Sequence, residues 1–145
     1  MIGADGPRSF LRTLVVPRAP RDLRFAGYAA WRGTVAEVDM PQDTRDMLRH
    51  QYTDLSNCLY FIHGRTKGSV QEHAVLYDIG KGLINWLVYE NRDTPMAEAG
   101  RTTTAVSQAE VEEFIKRARD CWGDALGAVI EATPSPFVTD VYDLV

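Results

Sequence analysis

Two apolar runs, residues 71–79 (QEHAVLYDI) and 83–91 (LINWLVYEN), stand on either side of Gly80-Lys81-Gly82, and this arrangement constrains the chain more than any other stretch. Runs of this length, rich in Val, Ile, Leu, Tyr and Trp and bounded by glycine, predict two antiparallel strands joined by a tight turn. The second run is the most hydrophobic in the chain. Residues 57–64 (NCLYFIHG) form a third run, linked to the first through the glycines and polar tip of residues 64–69. Residues 25–35 (FAGYAAWRGTV) form a fourth, with Gly27 placed for a bulge. Four strands in meander order predict an antiparallel sheet with one face on a core.

The cover for that face is legible further on. Ser107-Gln108-Ala109-Glu110 is a capping box, after which Val111, Phe114, Ile115, Ala118 and Trp122 recur at helical spacing. On the wet side, Glu112 with Lys116 and Glu113 with Arg117 are spaced as i,i+4 pairs. Gly123 interrupts the pattern, and residues 125–133 resume it with Leu126, Val129 and Ile130. Pro134 and Pro136 stop it, and residues 137–144 (FVTDVYDL) read as a final strand. A short helix over 42–49 turns Met47 and Leu48 inward, and another begins near Pro7 or Ser9. The fold class expected is α+β, a mainly antiparallel sheet with helices packed on one face.

A chain of 145 residues is enough for one core without staples. Its formal charge of −4 offers no general attraction to nucleic acid or anionic lipid, although Arg8, Arg12, Arg18, Arg21 and Arg24 enrich the amino-terminal part in positive charge. Two cysteines, Cys58 and Cys121, without CxxC spacing argue for a reducing compartment, and no signal pattern or long apolar run points to export or a membrane. The location expected is cytoplasmic.

Gly80-Lys81-Gly82-Leu83-Ile84-Asn85 lacks the third glycine of a dinucleotide fingerprint and leads into a strand, where pyrophosphate binding needs a helix N-terminus. There is no phosphate-binding GxxxxGK[ST] loop, no GxSxG elbow, and no ligand-like spacing among His50, His63 and His73. The aromatic set Tyr28, Trp31, Tyr60, Tyr77, Trp86 and Tyr89 admits two readings: core packing, or a flat wall for a planar ligand.

The amino-terminal Gly3-Ala4-Asp5-Gly6-x-x-Ser9-x-x-Arg12 reads either as a plain turn entering a helix or as a phosphate contact. It resembles the internal Asp-Gly fingerprint of the class A flavoprotein monooxygenases, the aromatic hydroxylases typified by p-hydroxybenzoate hydroxylase. FAGYAAWRG, LYDIGKGLINWLVYEN and TPSPFVTDVYDL resemble the substrate-binding domain of the 2,6-dihydroxypyridine 3-monooxygenase branch. The resemblance implies FAD- and NAD(P)H-dependent hydroxylation of an aromatic or N-heteroaromatic ring. It implies cofactor contacts at Asp5, Gly6, Ser9 and Arg12, and a substrate wall for which Tyr77, Trp86 and Phe137 are the candidates. It divides the chain into a flavin-contact segment and linker, 1–24, and a substrate-binding domain, 25–145.

That family also carries an amino-terminal GxGxxG fold and a second Gly-Asp segment, neither of which is in this sequence. The chain therefore reads as the interior of a monooxygenase, inactive alone, whose partners are those flavin-binding segments, a small aromatic substrate and, optionally, a second copy in a homodimer. A free-standing α+β ligand-binding module without redox chemistry is the competing expectation.

Overall fold

The computed structural model describes residues 4–6, 9–16, 23–65 and 72–144. Pro7, Arg8, Arg18, Arg21 and all but the first two residues of the turn expected over 64–69 lie outside them. The elements run α1 (Phe10–Val15), β1 (Leu23–Ala36), α2 (Gln42–Gln51), β2 (Tyr60–His63), β3 (His73–Asp78), β4 (Leu83–Asn91), β5 (Thr103–Ala105), α3 (Gln108–Trp122), α4 (Asp124–Glu131) and β6 (Phe137–Leu144). The six strands form one sheet in the order β2-β3-β4-β1-β6-β5, antiparallel throughout. The α+β class read from the sequence holds.

The meander does not. Strands β2, β3 and β4 follow one another as expected, but β1 pairs with β4 and β6 and never with β2. At 14 residues β1 is the longest strand, and it satisfies both of its edges by lying at the centre between the apolar β4 and the chain's last strand. Its register against β6 shifts between Phe25 and Ala29, around Gly27 at φ +86°, whose carbonyl accepts from Arg92 N–H at 2.9 Å. The bulge falls where the glycine placed it. At the other hairpin, Gly80, Lys81 and Gly82 all have positive φ, and Gly80 N–H is bound by the Asp78 carboxylate at 2.6 Å. That geometry turns a strand back on itself and cradles no phosphate.

The helices cover one face. Along β1, Ala29, Trp31, Gly33 and Val35 point to them, matched by Ala74 and Leu76 on β3 and Ile84, Trp86 and Val88 on β4. Trp31 stacks on Phe114 of α3 with centroids 4.1 Å apart, and Leu126, Val129 and Ile130 of α4 are fully buried in the same cluster. In α2 the inward residues are Thr44 and Leu48, one turn apart, while Met47 stays 37% exposed. Met47 adjoins Leu48 in sequence, but a helix puts neighbours about 100° apart, so only one of them can face the sheet. The capping box forms as read: Ser107 Oγ accepts from Glu110 N–H, and Glu110 Oε2 accepts from Ser107 N–H at 2.7 Å. Arg117, spaced to pair with Glu113, instead reaches Glu90 at 3.2 Å and Glu72 at 3.5 Å.

Candidate functional site

Because side chains alternate across a strand, the register sorts the aromatic set into two groups. Trp31, Tyr60 and Trp86 face the helices. Tyr28, Tyr77 and Tyr89 face the other side, which no helix covers among the described residues. Both readings of the set are thus realised, each by half of it.

On the uncovered face a line of rings crosses four strands. Phe61 of β2 stacks on His73 of β3 at 4.5 Å, His73 stacks on Tyr89 of β4 at 4.5 Å, and Tyr89 meets Tyr28 of β1 at 6.0 Å. Tyr28, His73, Tyr89 and Asn91 line a small cavity of about 120 Å³. Beside it, Ala30 lies opposite Tyr89 on one side and Thr139 on the other, and its side chain is fully buried. Its larger neighbours close over it, so the surface at this point of the face is theirs. Arg32 is the next residue of β1 on this face, set between Leu87 of β4 and Phe137 of β6.

The electrostatics of the two faces differ. On the helix side, a cavity of about 330 Å³ near Trp31 and Phe114 is lined by Glu90, Arg92, Glu110, Glu113 and Arg117. Its charges are largely spent on one another: Glu90 accepts from Trp31 Nε1 at 2.8 Å and pairs with Arg92 and Arg117. Burial pushes the Glu72 carboxyl up against the pull of Arg117. On the uncovered face no carboxylate stands among the strand residues from Tyr28 to Thr34 and their register partners. Burial and the neighbouring His63, its partner across β2–β3, lower the pKa of His73. The imidazole between two rings is therefore a neutral aromatic surface at ordinary pH.

The three candidate wall residues do not converge. Trp86 is fully buried on the helix side, with Nε1 donating to Thr133 Oγ1 at 2.8 Å. Tyr77 and Phe137 are on the uncovered face, but β4 and β1 lie between their strands, a lateral separation of about 14 Å. The sequence did not single out Arg32, His73 or Phe61 as wall candidates, although the register sets all three on the uncovered face. The signal available for Arg32 was a lone charge inside an apolar central run, Trp31-Arg32-Gly33.

The Asp-Gly segment forms a closed local knot. Ser9 N–H binds Gly6 O at 3.0 Å, Ser9 Oγ–H donates to one Asp5 carboxylate oxygen, Leu11 N–H donates to the other at 3.1 Å, and Arg12 N–H donates to Ser9 Oγ at 2.9 Å. These bonds hold the Asp5 pKa below the usual carboxylate range. Asp5 and Ser9 thus serve as caps of α1. Gly6 has φ +81° with open space where a Cβ would point, and Phe10, Leu14 and Val15 of α1 are all more than 60% exposed.

A family model of FAD binding domain-like proteins matches residues 25–143, most of the chain and some part of each of the six described strands. The chain belongs to the FAD binding domain-like family. A curated relative, salicylate hydroxylase from Pseudomonas putida, is 27% identical over 150 aligned residues, which cover 99% of this chain and 32% of that protein. In fold, this family member resembles 2,6-dihydroxypyridine-3-hydroxylase from Arthrobacter nicotinovorans (TM-score 0.61, 17% identity, covering 97% of this chain and 37% of that one). It also resembles HpxO from Klebsiella pneumoniae, solved with FAD and uric acid (TM-score 0.58, 18% identity, covering 98% and 30%). The chain spans about a third of the length of these relatives. Among the described residues no helix is long and apolar enough to cross a membrane, and no group of three or more His, Cys, Asp and Glu is placed to hold a metal ion.

Proposed function

We propose that this chain is the substrate-facing part of an FAD- and NAD(P)H-dependent monooxygenase that hydroxylates an aromatic or N-heteroaromatic ring. Residues 25–145 form the substrate domain, and residues 1–24 carry the flavin contact and linker. The observation that carries the reading is the helix-free face of the sheet, where Phe61, His73, Tyr89 and Tyr28 form a continuous aromatic wall. A solitary binding module would shelter its apolar residues, whereas α1 presents Phe10, Leu14 and Val15 to solvent.

The residues present fit the flavin. Gly6 leaves its backbone approachable, and Arg12 supplies a fork suited to a pyrophosphate. Asp5 and Ser9 hold the turn that presents them. When bound, FAD reduced by NAD(P)H supplies the oxygen-activating chemistry. The chain's own work is to orient the ring and keep water from it. Tyr28 and Tyr89 offer faces for stacking and phenol groups for hydrogen bonding, Thr139 offers a hydroxyl, and Tyr77 and Phe137 bound the patch.

The test is an amide chemical-shift map of the 145-residue chain with phenol, together with an FAD titration. Phenol is expected to move Tyr28, Ala30, Tyr89 and Thr139, and FAD to bind weakly without the remainder of a flavin fold. Shifts centred on the helix-side cavity, or stoichiometric tight FAD binding by this chain, would overturn the reading.

A further inference from the structure

We propose that the open edge of β2 pairs with β2 of a second copy of this chain, antiparallel about a two-fold axis at Ile62, so that the sheet continues across a homodimer. The surface is the edge of the sheet, and it serves this purpose whatever molecule the uncovered face takes.

The register tells which main-chain groups stand unspent. Gly64 N–H donates to Glu72 O at 2.9 Å, and this pair continues the β2–β3 register in which His63 lies opposite His73. Bonded and non-bonded pairs alternate along an antiparallel ladder. Tyr60 and Ile62 therefore turn their N–H and C=O groups to β3, while Phe61 and His63 turn theirs outward. Among the described residues β3 is the sole strand beside β2. Beyond His63 the outward row stops, because Arg65 N–H donates to Cys121 O at 2.9 Å.

Sheet edges that meet only water are guarded by charge, proline or brevity. The opposite edge is guarded in this way: β5 is Thr103–Ala105, three residues of which two are threonine. Residues 58–63 (CLYFIH) contain no Asp, Glu, Lys, Arg or Pro, and Leu59 and Phe61 are 56% and 53% exposed. An apolar edge without guards is a template for another strand.

A second copy is the occupant that fits. Setting Ile62 against the second copy's Ile62 puts Phe61 opposite the second copy's His63 and, by symmetry, His63 opposite its Phe61. Each of these residues then gives one N–H and accepts one, about four main-chain bonds in all. The side chains match as well. Within the chain Phe61 already stacks on a histidine of the neighbouring strand, His73, at 4.5 Å with the planes 20° apart, and the two-fold offers that Phe-on-His contact again in both directions. Neither strand brings an acid, a lysine or an arginine to the contact, so no like charges face each other. A two-fold contact of this kind uses up both edges and closes at the dimer. A pair of such short strands buries less than the roughly 1,200–2,000 Å² of stable complexes, so the association is weak and depends on concentration.

Sedimentation equilibrium of the 145-residue chain over about 10 μM to 1 mM, the range suited to a contact below standard size, should show the mass rising from one chain towards two. Hydrogen exchange at the Phe61 and His63 amides should slow about tenfold once about 90% of the chains are paired, while Ile62, bonded to β3 in both forms, keeps its rate. His63→Pro deletes an outward N–H and leaves the β3 ladder whole, so it should remain a monomer at the top of that range. Phe61→Lys, which sets a charge on the edge, should do the same. The Trp86 indole N–H resonance reports whether each variant is folded; if His63→Pro is not, Phe61→Lys decides.

A wild-type chain that stays monomeric throughout, a dimer that survives both substitutions, or growth beyond the dimer would overturn the proposal. So would Phe61 and His63 amides equally protected at every concentration, since the chain itself would then cover the edge.

Discussion

Trp86 donates its indole N–H to Thr133 Oγ1 at 2.8 Å, and the same hydroxyl donates to the Val129 carbonyl at 2.9 Å, so one threonine ties the central sheet to the end of α4 inside the core. Thr133→Val keeps the shape and strands the indole. The expected loss is about 1–3 kcal/mol of unfolding free energy in a denaturant titration, the cost of an unmet buried donor. A change under a few tenths would show that the bond contributes nothing.

Gly33 lies beneath that pair. A Cβ added there would stand 2.6 Å from Thr133 Cγ2 and 2.7 Å from the Trp86 ring, distances that real side chains do not tolerate. Gly33→Ala is expected to destabilise by about 1–3 kcal/mol through overpacking, even though alanine is the better strand former. A neutral or stabilising result in thermal unfolding would mean that the indole has room to move.

The two faces of the sheet predict two kinds of loss. Trp86→Ala removes a fully buried ring and should cost about 3–5 kcal/mol. Tyr89→Ala, on the uncovered face, should cost about 1 kcal/mol while abolishing the response of neighbouring amides to phenol. Both quantities come from one pair of experiments, denaturation and ligand titration. Finding the losses exchanged between the two variants would contradict the facial assignment.

The imidazole of His73 lies below its ordinary value of 6.5, first through burial and then through His63 opposite. The fold thus favours the neutral ring, and below pH 6.5 the unfolded chain binds more protons than the folded one. Stability therefore falls as pH drops through that window and levels off beneath the folded pKa. His63→Gln removes the second cause and should move the His73 titration part of the way back towards 6.5, shrinking the acid-side loss. Histidine proton resonances followed against pH measure this, and a wild-type His73 titrating at or above 6.5 would refute it.

Local signals carried far in this chain. The capping box at Ser107 and Glu110, the Gly80-Lys81-Gly82 turn and the Gly27 bulge each depend on a few adjacent residues, and each is found where those residues are. Pairing partners are another matter. Nothing local tells β1 that its neighbours are β4 and β6, because that choice is made by burial across the whole sheet, and β5 at three residues has too little pattern to register. The resemblance that made Trp86 a wall candidate could not be checked from the strand itself, because β4 is apolar on both faces: Ile84, Trp86 and Val88 alternate with Leu87 and Tyr89, so period two could not say which side met the helices. The surroundings of Arg32, flanked by Leu87 and Phe137 with no acid opposite it, are likewise revealed only by the register.

Strand β1 leaves a practical legacy. Its odd positions 29, 31, 33 and 35 point to the helices, and its even positions 28, 30, 32 and 34 point to the uncovered face, where we propose that the ring binds. The two sets are adjacent in sequence yet mutationally separable. A library that randomises only the even set would explore new ring chemistries on an unaltered scaffold, whereas randomising the odd set would yield mostly unfolded protein. Inheritance and laboratory selection meet the same partition: the uncovered face can drift one residue at a time along a strand whose other half is not free to change.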